Sequence, residues 1–125
     1  PYGEDDFASF ARLLRSVNGV SVVGDDLTAA NPRRIERAKR ERSVNGIIVK
    51  PNQIGTVSET LEVIKAAKSW GWGVFVSHRS GETRDDFIAD LAYGCAADGI
   101  KLGAPLQEER LTKYARLCEI EENEV

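Results

Sequence analysis

The chain has a single histidine, His78, set between Ser77 and Arg79 at the end of an apolar run, Val74-Phe75-Val76. Ser80, Gly81, Glu82 and Thr83 follow. A guanidinium is a fixed fork of donors, and with the neighbouring Ser80 hydroxyl it suits an anionic ligand. An isolated histidine is more often structural than catalytic. Beside Arg79 and Ser80, just before a glycine, His78 reads as a site residue. Asp25-Asp26 offers carboxylate oxygens to a divalent cation, or else forms a turn or helix cap. Two adjacent carboxylates do not complete a magnesium shell, so other ligands would have to come from elsewhere. Lys50 and Lys101 each close an apolar segment, Ile47-Ile48-Val49 and Gly99-Ile100. A lysine serves as a general base near neutral pH only where burial or neighbouring cations favour its neutral form. The alternative for each lysine is a surface side chain whose stem lies along apolar groups.

All of these residues lie at the ends of strand-like segments. Asp5-Asp6 caps a helix with Phe7, Phe10, Ala11, Leu14 and Val17 at helical spacing, broken at Asn18-Gly19. Val20 to Val23 is a β-branched strand ending in Gly24 and Asp25-Asp26. Asn31-Pro32 starts a helix through Ile35 and Ala38 to about Arg42, with Asn45-Gly46 as its stop. A second strand, 47–49, ends in Lys50. Thr56-Val57-Ser58-Glu59 has the capping-box pattern and begins a helix with Val57, Leu61, Ile64 and Ala67 as its apolar positions. The third strand, 73–76, delivers Ser77 to Ser80. Thr83-Arg84-Asp85-Asp86 resembles a capping box before a helix with Phe87, Leu91 and Cys95. A weak strand around Gly99-Ile100 delivers Lys101. A last helix with Leu111, Tyr114, Leu117 and Cys118 is expected to fray over 119–124.

The order is a helix and then four βα units. That alternation predicts an α/β fold with a parallel sheet and right-handed crossovers. Ligands in such folds bind at the carboxyl ends of the strands, where Asp25, Lys50, Ser77 to Ser80 and Lys101 fall.

With 125 residues, 42% hydrophobic and 30% charged, the chain is globular in character and long enough for at most one ordinary domain. No apolar run is long enough for a membrane span, and a net charge of −3 gives no support to nucleic-acid binding. The basic run Arg33 to Arg42 is interleaved with Glu36 and Glu41 and reads as a solvated helix face. The N-terminal residues resemble neither a signal nor a transit peptide. There is no methionine, which suggests a piece of something longer or a processed end. Cys95 and Cys118 read as buried small residues in a reducing compartment rather than as a disulfide. A phospho-receiver reading requires a phosphorylatable aspartate at another strand end, where this chain has lysine or Ser77-His78.

Taken together, these strand ends resemble enolase (phosphopyruvate hydratase). The resemblance rests on Val23-Gly24-Asp25-Asp26-Leu27-Thr28, Asn31-Pro32, and Lys50 with Asn52-Gln53-Ile54-Gly55-Thr56. It continues through Gly71-Trp72-Gly73-Val74 and the specific block Val76-Ser77-His78-Arg79-Ser80-Gly81-Glu82-Thr83. Ile100-Lys101, Gly103-Ala104-Pro105, Glu109-Arg110-Leu111 and Lys113-Tyr114 complete it, so that it covers essentially residues 1–125. It implies the later half of an enolase-type, TIM-like barrel, with the small N-terminal domain and the first half of the barrel absent. It also implies magnesium-dependent interconversion of 2-phospho-D-glycerate and phosphoenolpyruvate in glycolysis, a cytoplasmic location and a homodimer in full-length members. By the same resemblance Lys50 is the base, Lys101 contacts the substrate carboxylate and His78 is an active-site histidine. Arg79 and Ser80 bind phosphate, Ser77 and Asp26 line the substrate, and Asp25 is one of three carboxylate ligands of the metal. The general acid and the other two metal carboxylates match nothing in these residues, so the 125-residue chain is expected to be inactive alone. Arg84 stands where the family usually has an acid and Leu102 where it has threonine. Leu106-Gln107-Glu108 replaces a segment usually ending in serine. These departures keep a second expectation in view, a non-catalytic enolase-like binding or structural protein.

Overall fold

The computed structural model describes residues 2–124. The chain divides after Val74 into two compact units, each with its own packing.

In the first unit, α1 (Phe7–Ser16) begins where the Asp6 side chain accepts the Ser9 N–H at 3.0 Å, the expected cap. Further on, α2 (Pro32–Glu41) begins at Asn31, which accepts from the N–H groups of Arg33 and Arg34. It stops at Arg42, which takes a left-handed φ of 52° and donates to the Ala38 and Lys39 carbonyls. Asn45-Gly46, expected as the stop, instead leads into β2 (Gly46–Val49). Packing of α1 on α2 uses the basic residues locally. Arg34 and Arg37 stand 5.4 and 4.1 Å from the Phe7 ring centroid, and Arg34 also bonds Asp5 at 2.7 Å.

The first strand is shorter than its sequence suggests. β1 (Val23–Gly24) pairs parallel with β2, Val23 opposite Gly46 and Gly24 opposite Ile47. Val20 is exposed, and the Val22 N–H donates to the Asn45 side chain at 2.7 Å. The Val22 carbonyl still accepts the Asn45 backbone N–H at 3.0 Å, but on its N–H side a side-chain amide oxygen stands in for a strand partner. Ile47 and Val49 of β2 are fully buried, each contributing about 1.5–3 kcal/mol relative to exposure. The Gly73 N–H donates to the Asn45 carbonyl at 3.0 Å, which brings the start of β3 (Gly73–Ser77) beside β2.

A short helix that the spacing does not predict, α3 (Pro51–Ile54), follows β2. In α4 (Val57–Ser69), the Thr56 hydroxyl accepts the Glu59 N–H and donates to the Glu59 carboxylate, a variant of the expected box. The buried face is Thr60, Val63, Ile64 and Ala67, whereas Val57 and Leu61 are exposed. The expected apolar stripe is therefore displaced. Thr60 can be buried because its hydroxyl bonds the Thr56 carbonyl at 2.7 Å.

In the second unit, β3 pairs parallel with β4 (Gly99–Lys101) through Phe75–Gly99, Val76–Ile100 and Ser77–Lys101. Strand order follows the chain, β1-β2-β3-β4, which is the expected parallel α/β alternation. Two helices, α5 (Phe87–Gly94) and α6 (Glu108–Glu124), pack together, with Arg116 gripping the Asp90 carboxylate at 2.8–3.2 Å. The box expected at Thr83 does not cap α5. Thr83 accepts from the Asp85 N–H, and the helix begins after Asp86, which makes no capping bond. Instead of fraying at 119, α6 continues through Glu124. Both cysteines are free; Cys118 is exposed rather than buried and Cys95 is half-buried.

Candidate active site

In the first unit, the turn after β1 is held by Thr28, whose hydroxyl bonds the carbonyls of Gly24 and Asp25 at 3.1 Å. A Cβ on Gly24 would fall 2.6 Å from the Thr28 methyl, so this tight turn requires glycine. The turn directs Asp25 towards the end of the neighbouring strand. There Lys50 Nζ lies 2.5 Å from Asp25 Oδ1, with the lysine side chain 12% exposed and the aspartate 34%. The expected metal ligand and the expected base are therefore partners. Asp26 is exposed, with no hydrogen-bond or ion-pair partner among the described residues. The described residues hold no group of three or more His, Cys, Asp or Glu able to bind a metal ion, so they do not make a magnesium site by themselves.

In the second unit, the β3–β4 pairing continues one residue beyond Ser77, as the His78 N–H donates to the Lys101 carbonyl at 2.9 Å. Ser77 is buried and its hydroxyl bonds the His78 carbonyl at 2.9 Å. The Arg79 N–H donates to Glu82 Oε1 at 2.7 Å. Neither the Arg79 guanidinium nor the Lys101 ammonium has a hydrogen-bond or ion-pair partner among the described residues. Lys101 and Ser80 are exposed and Arg79 is half-buried. This end of the β3–β4 pair thus presents two cationic groups and a hydroxyl that are not committed to one another.

His78 is fixed from α6. Arg110 Nη1 lies 3.2 Å from His78 Nδ1. A guanidinium can only donate, so Nδ1 accepts and the neutral ring carries its proton on Nε2. Burial, with the Arg110 charge next, lowers the His78 pKa below its ordinary value. Gly103 makes the approach possible: its φ is +72°, and a Cβ there would fall 1.8 Å from Arg110 Nη1.

Three residues that the strand-end reading does not single out hold this corner together. Glu82 accepts from the Arg79 N–H and pairs with Lys113 Nζ at 2.6 Å. Lys113 is 1% exposed and also donates to the carbonyls of Thr83 and Glu109. Burial raises the Glu82 pKa, but the bonds from Lys113 and from the Arg79 N–H outweigh it and hold the carboxyl below its ordinary value. Arg110 is the third. Helix spacing carries no signal for the contacts that tie α6 to this corner, because Lys113–Thr83 and Arg110–His78 join residues 30 and 32 positions apart.

The family model for the enolase C-terminal TIM barrel domain matches residues 1–125. The chain belongs to the enolase family. It is 51% identical over 123 residues to "Enolase B" of Dictyostelium discoideum and 50% identical over 123 residues to "Enolase 2" of Hevea brasiliensis. Each match covers 98% of this chain and 28% of the relative, so the chain spans little more than a quarter of these enolases. Two departures from the enolase pattern turn out to be partners: Arg84 Nη2 lies 2.7 Å from Glu108 Oε2. A third, Leu102, is buried at 3% exposure, where its side chain adds to the apolar interior. Among the described residues no helix is long and apolar enough to cross a membrane.

Proposed function

We propose that these residues are the later part of an enolase barrel, in a protein that interconverts 2-phospho-D-glycerate and phosphoenolpyruvate. The observation that carries this reading is the pair of uncommitted cations, Arg79 and Lys101, beside Ser80 within the Ser77 to Thr83 block. A bidentate guanidinium and a hydroxyl match a phosphate group. Removing a proton alpha to a carboxylate builds negative charge on a group already anionic, which positive charge at that carboxylate must stabilise. Lys101 supplies such charge and Lys50 is the base. To take a proton, the Lys50 amine must part from Asp25. Ser77, His78 and Asp26 line the substrate in this reading, with Nε2–H the donor that His78 offers. A lysine base working with magnesium agrees with the known pattern of the superfamily.

Magnesium belongs to the proposal as the cofactor of the family, with Asp25 as one ligand and the remaining ligands outside these residues. The general acid also lies outside them, so the 125-residue chain is inactive alone. A homodimer and a cytoplasmic, glycolytic setting go with the full-length protein. The Arg84–Glu108 pair and the buried Leu102 account for these departures by local contacts, so the departures do not by themselves call for a non-catalytic relative.

The test is phosphoenolpyruvate formation, followed in the ultraviolet with magnesium present. The longer protein carrying these residues is expected to be active and the 125-residue chain inactive. An inactive longer protein would overturn the catalytic reading. Activity of the short chain would overturn the assignment of missing groups.

A further inference from the structure

The segment from His78 to Asp86 belongs to no helix or strand, yet it carries the groups assigned to the phosphate. Its anchors come from the first turns of α6. Arg110 meets His78, Glu108 meets Arg84, and Lys113 reaches both Glu82 and the Thr83 carbonyl. These anchors differ in kind. The Arg84–Glu108 pair is mostly exposed and so contributes little. Lys113 is buried, and its three donors are all used, on Glu82, Thr83 and Glu109. An ammonium so fully committed has no capacity to bind substrate. Its partner Glu82 has one oxygen on Lys113 and the other on the backbone N–H of Arg79. A continuous polar path therefore runs from α6 through Lys113 and Glu82 to the backbone of the phosphate-binding residue.

We propose that Lys113 and Glu82 are positioning residues that set the Arg79-Ser80 backbone for the phosphate. This inference deepens the enolase reading and rests on it for the identity of the anion. The phosphoryl group sits on the carbon that loses its proton, but its own bonds are neither made nor broken and the charge that builds falls on the carboxylate, so its contacts are similar in ground and transition states. Loss of the path therefore raises KM more than it lowers kcat.

Two readouts keep this inference separable from the enolase reading. The first is amide hydrogen exchange in the 125-residue chain, comparing wild type with Lys113→Met and with the milder Glu82→Gln, which keeps an acceptor for the Arg79 N–H. Exchange at Arg79 is expected to rise about tenfold in Lys113→Met and less in Glu82→Gln, while Val76 in β3 stays within about twofold. Unchanged exchange at Arg79 in both variants, or an equal rise at Val76 in both, would overturn the proposal. The second readout is steady-state kinetics of the longer protein with 2-phospho-D-glycerate. Glu82→Gln is expected to raise KM roughly five- to tenfold with kcat within about twofold. An unchanged KM would overturn the positioning role. A wild-type protein without activity removes the enolase reading, and the exchange measurement alone then decides whether Lys113 and Glu82 order the loop.

Discussion

Lys50 Nζ and Asp25 Oδ1 lie 2.5 Å apart, joining the residue that follows β2 to the residue that follows β1. The two chain segments are 25 residues apart in sequence and meet because their strands pair in parallel. Lys50→Met leaves a half-buried carboxylate unpaired. We expect a coupling energy of about 1 kcal/mol in a double-mutant cycle with Asp25→Asn, read by urea unfolding of the 125-residue chain. In the longer protein Lys50→Met should lower phosphoenolpyruvate formation by about a hundredfold or more, the contribution of a general base. A fall below tenfold would argue against that role.

Gly103 and Arg110 form a second dependence. Gly103→Ala places a Cβ where Arg110 Nη1 lies and puts alanine at a φ of +72°. The backbone strain should cost about 1–2 kcal/mol. Arg110 can yield because its guanidinium is the end of a flexible side chain, and the His78 contact should then be lost. The His78 pKa should move back up towards its ordinary value in both Gly103→Ala and Arg110→Met, followed by NMR of the imidazole Cε1 proton. The return should be incomplete, because burial is the larger cause of the lowering.

Acid should destabilise the fold in two stages. His78 and Glu82 both have lowered pKa values in the folded chain, so the unfolded chain binds protons more readily at each. For His78, stability is complete above the ordinary value of 6.5 and is lost as pH falls from there through the folded value. For Glu82 the same loss begins near 4.5. Urea midpoints measured from pH 8 to pH 3.5 should fall in both windows. His78→Gln should remove the upper decline and Glu82→Gln should reduce the lower one.

The Arg84–Glu108 pair should contribute less than about 1 kcal/mol, because its side chains are 68% and 63% exposed. Arg84→Glu should cost a similar small amount at low salt and almost nothing at 1 M salt, where the Debye length is roughly 3 Å. A large, salt-independent loss would mean that Arg84 has a role beyond this contact.

Much of this molecule is legible in the residue order. Asp6 and Asn31 cap their helices as their types require, and proline at position 32 sets the start of α2. The alternation of apolar strands and amphipathic helices determines the parallel α/β class. The Ser77-His78-Arg79-Ser80 block reads as a candidate anion site at a strand end from residue chemistry alone. These features are legible because each depends on neighbours within about four residues. Tertiary structure decided the rest. It shortened β1 because the Asn45 side chain took the Val22 N–H, and it turned α4 so that Thr60 is buried and Leu61 exposed. It paired Lys50 with Asp25, and it placed Arg110 and Lys113 of α6 against His78 and Glu82. The hydrogen bonds at β1, at Lys50 and at His78 join groups 23, 25 and 32 residues apart, and the face of α4 that is buried is set by what packs on it rather than by its own spacing. No local pattern encodes these contacts, so the sequence by itself marks the groups proposed for the anion, and the folded chain decides what holds them in place.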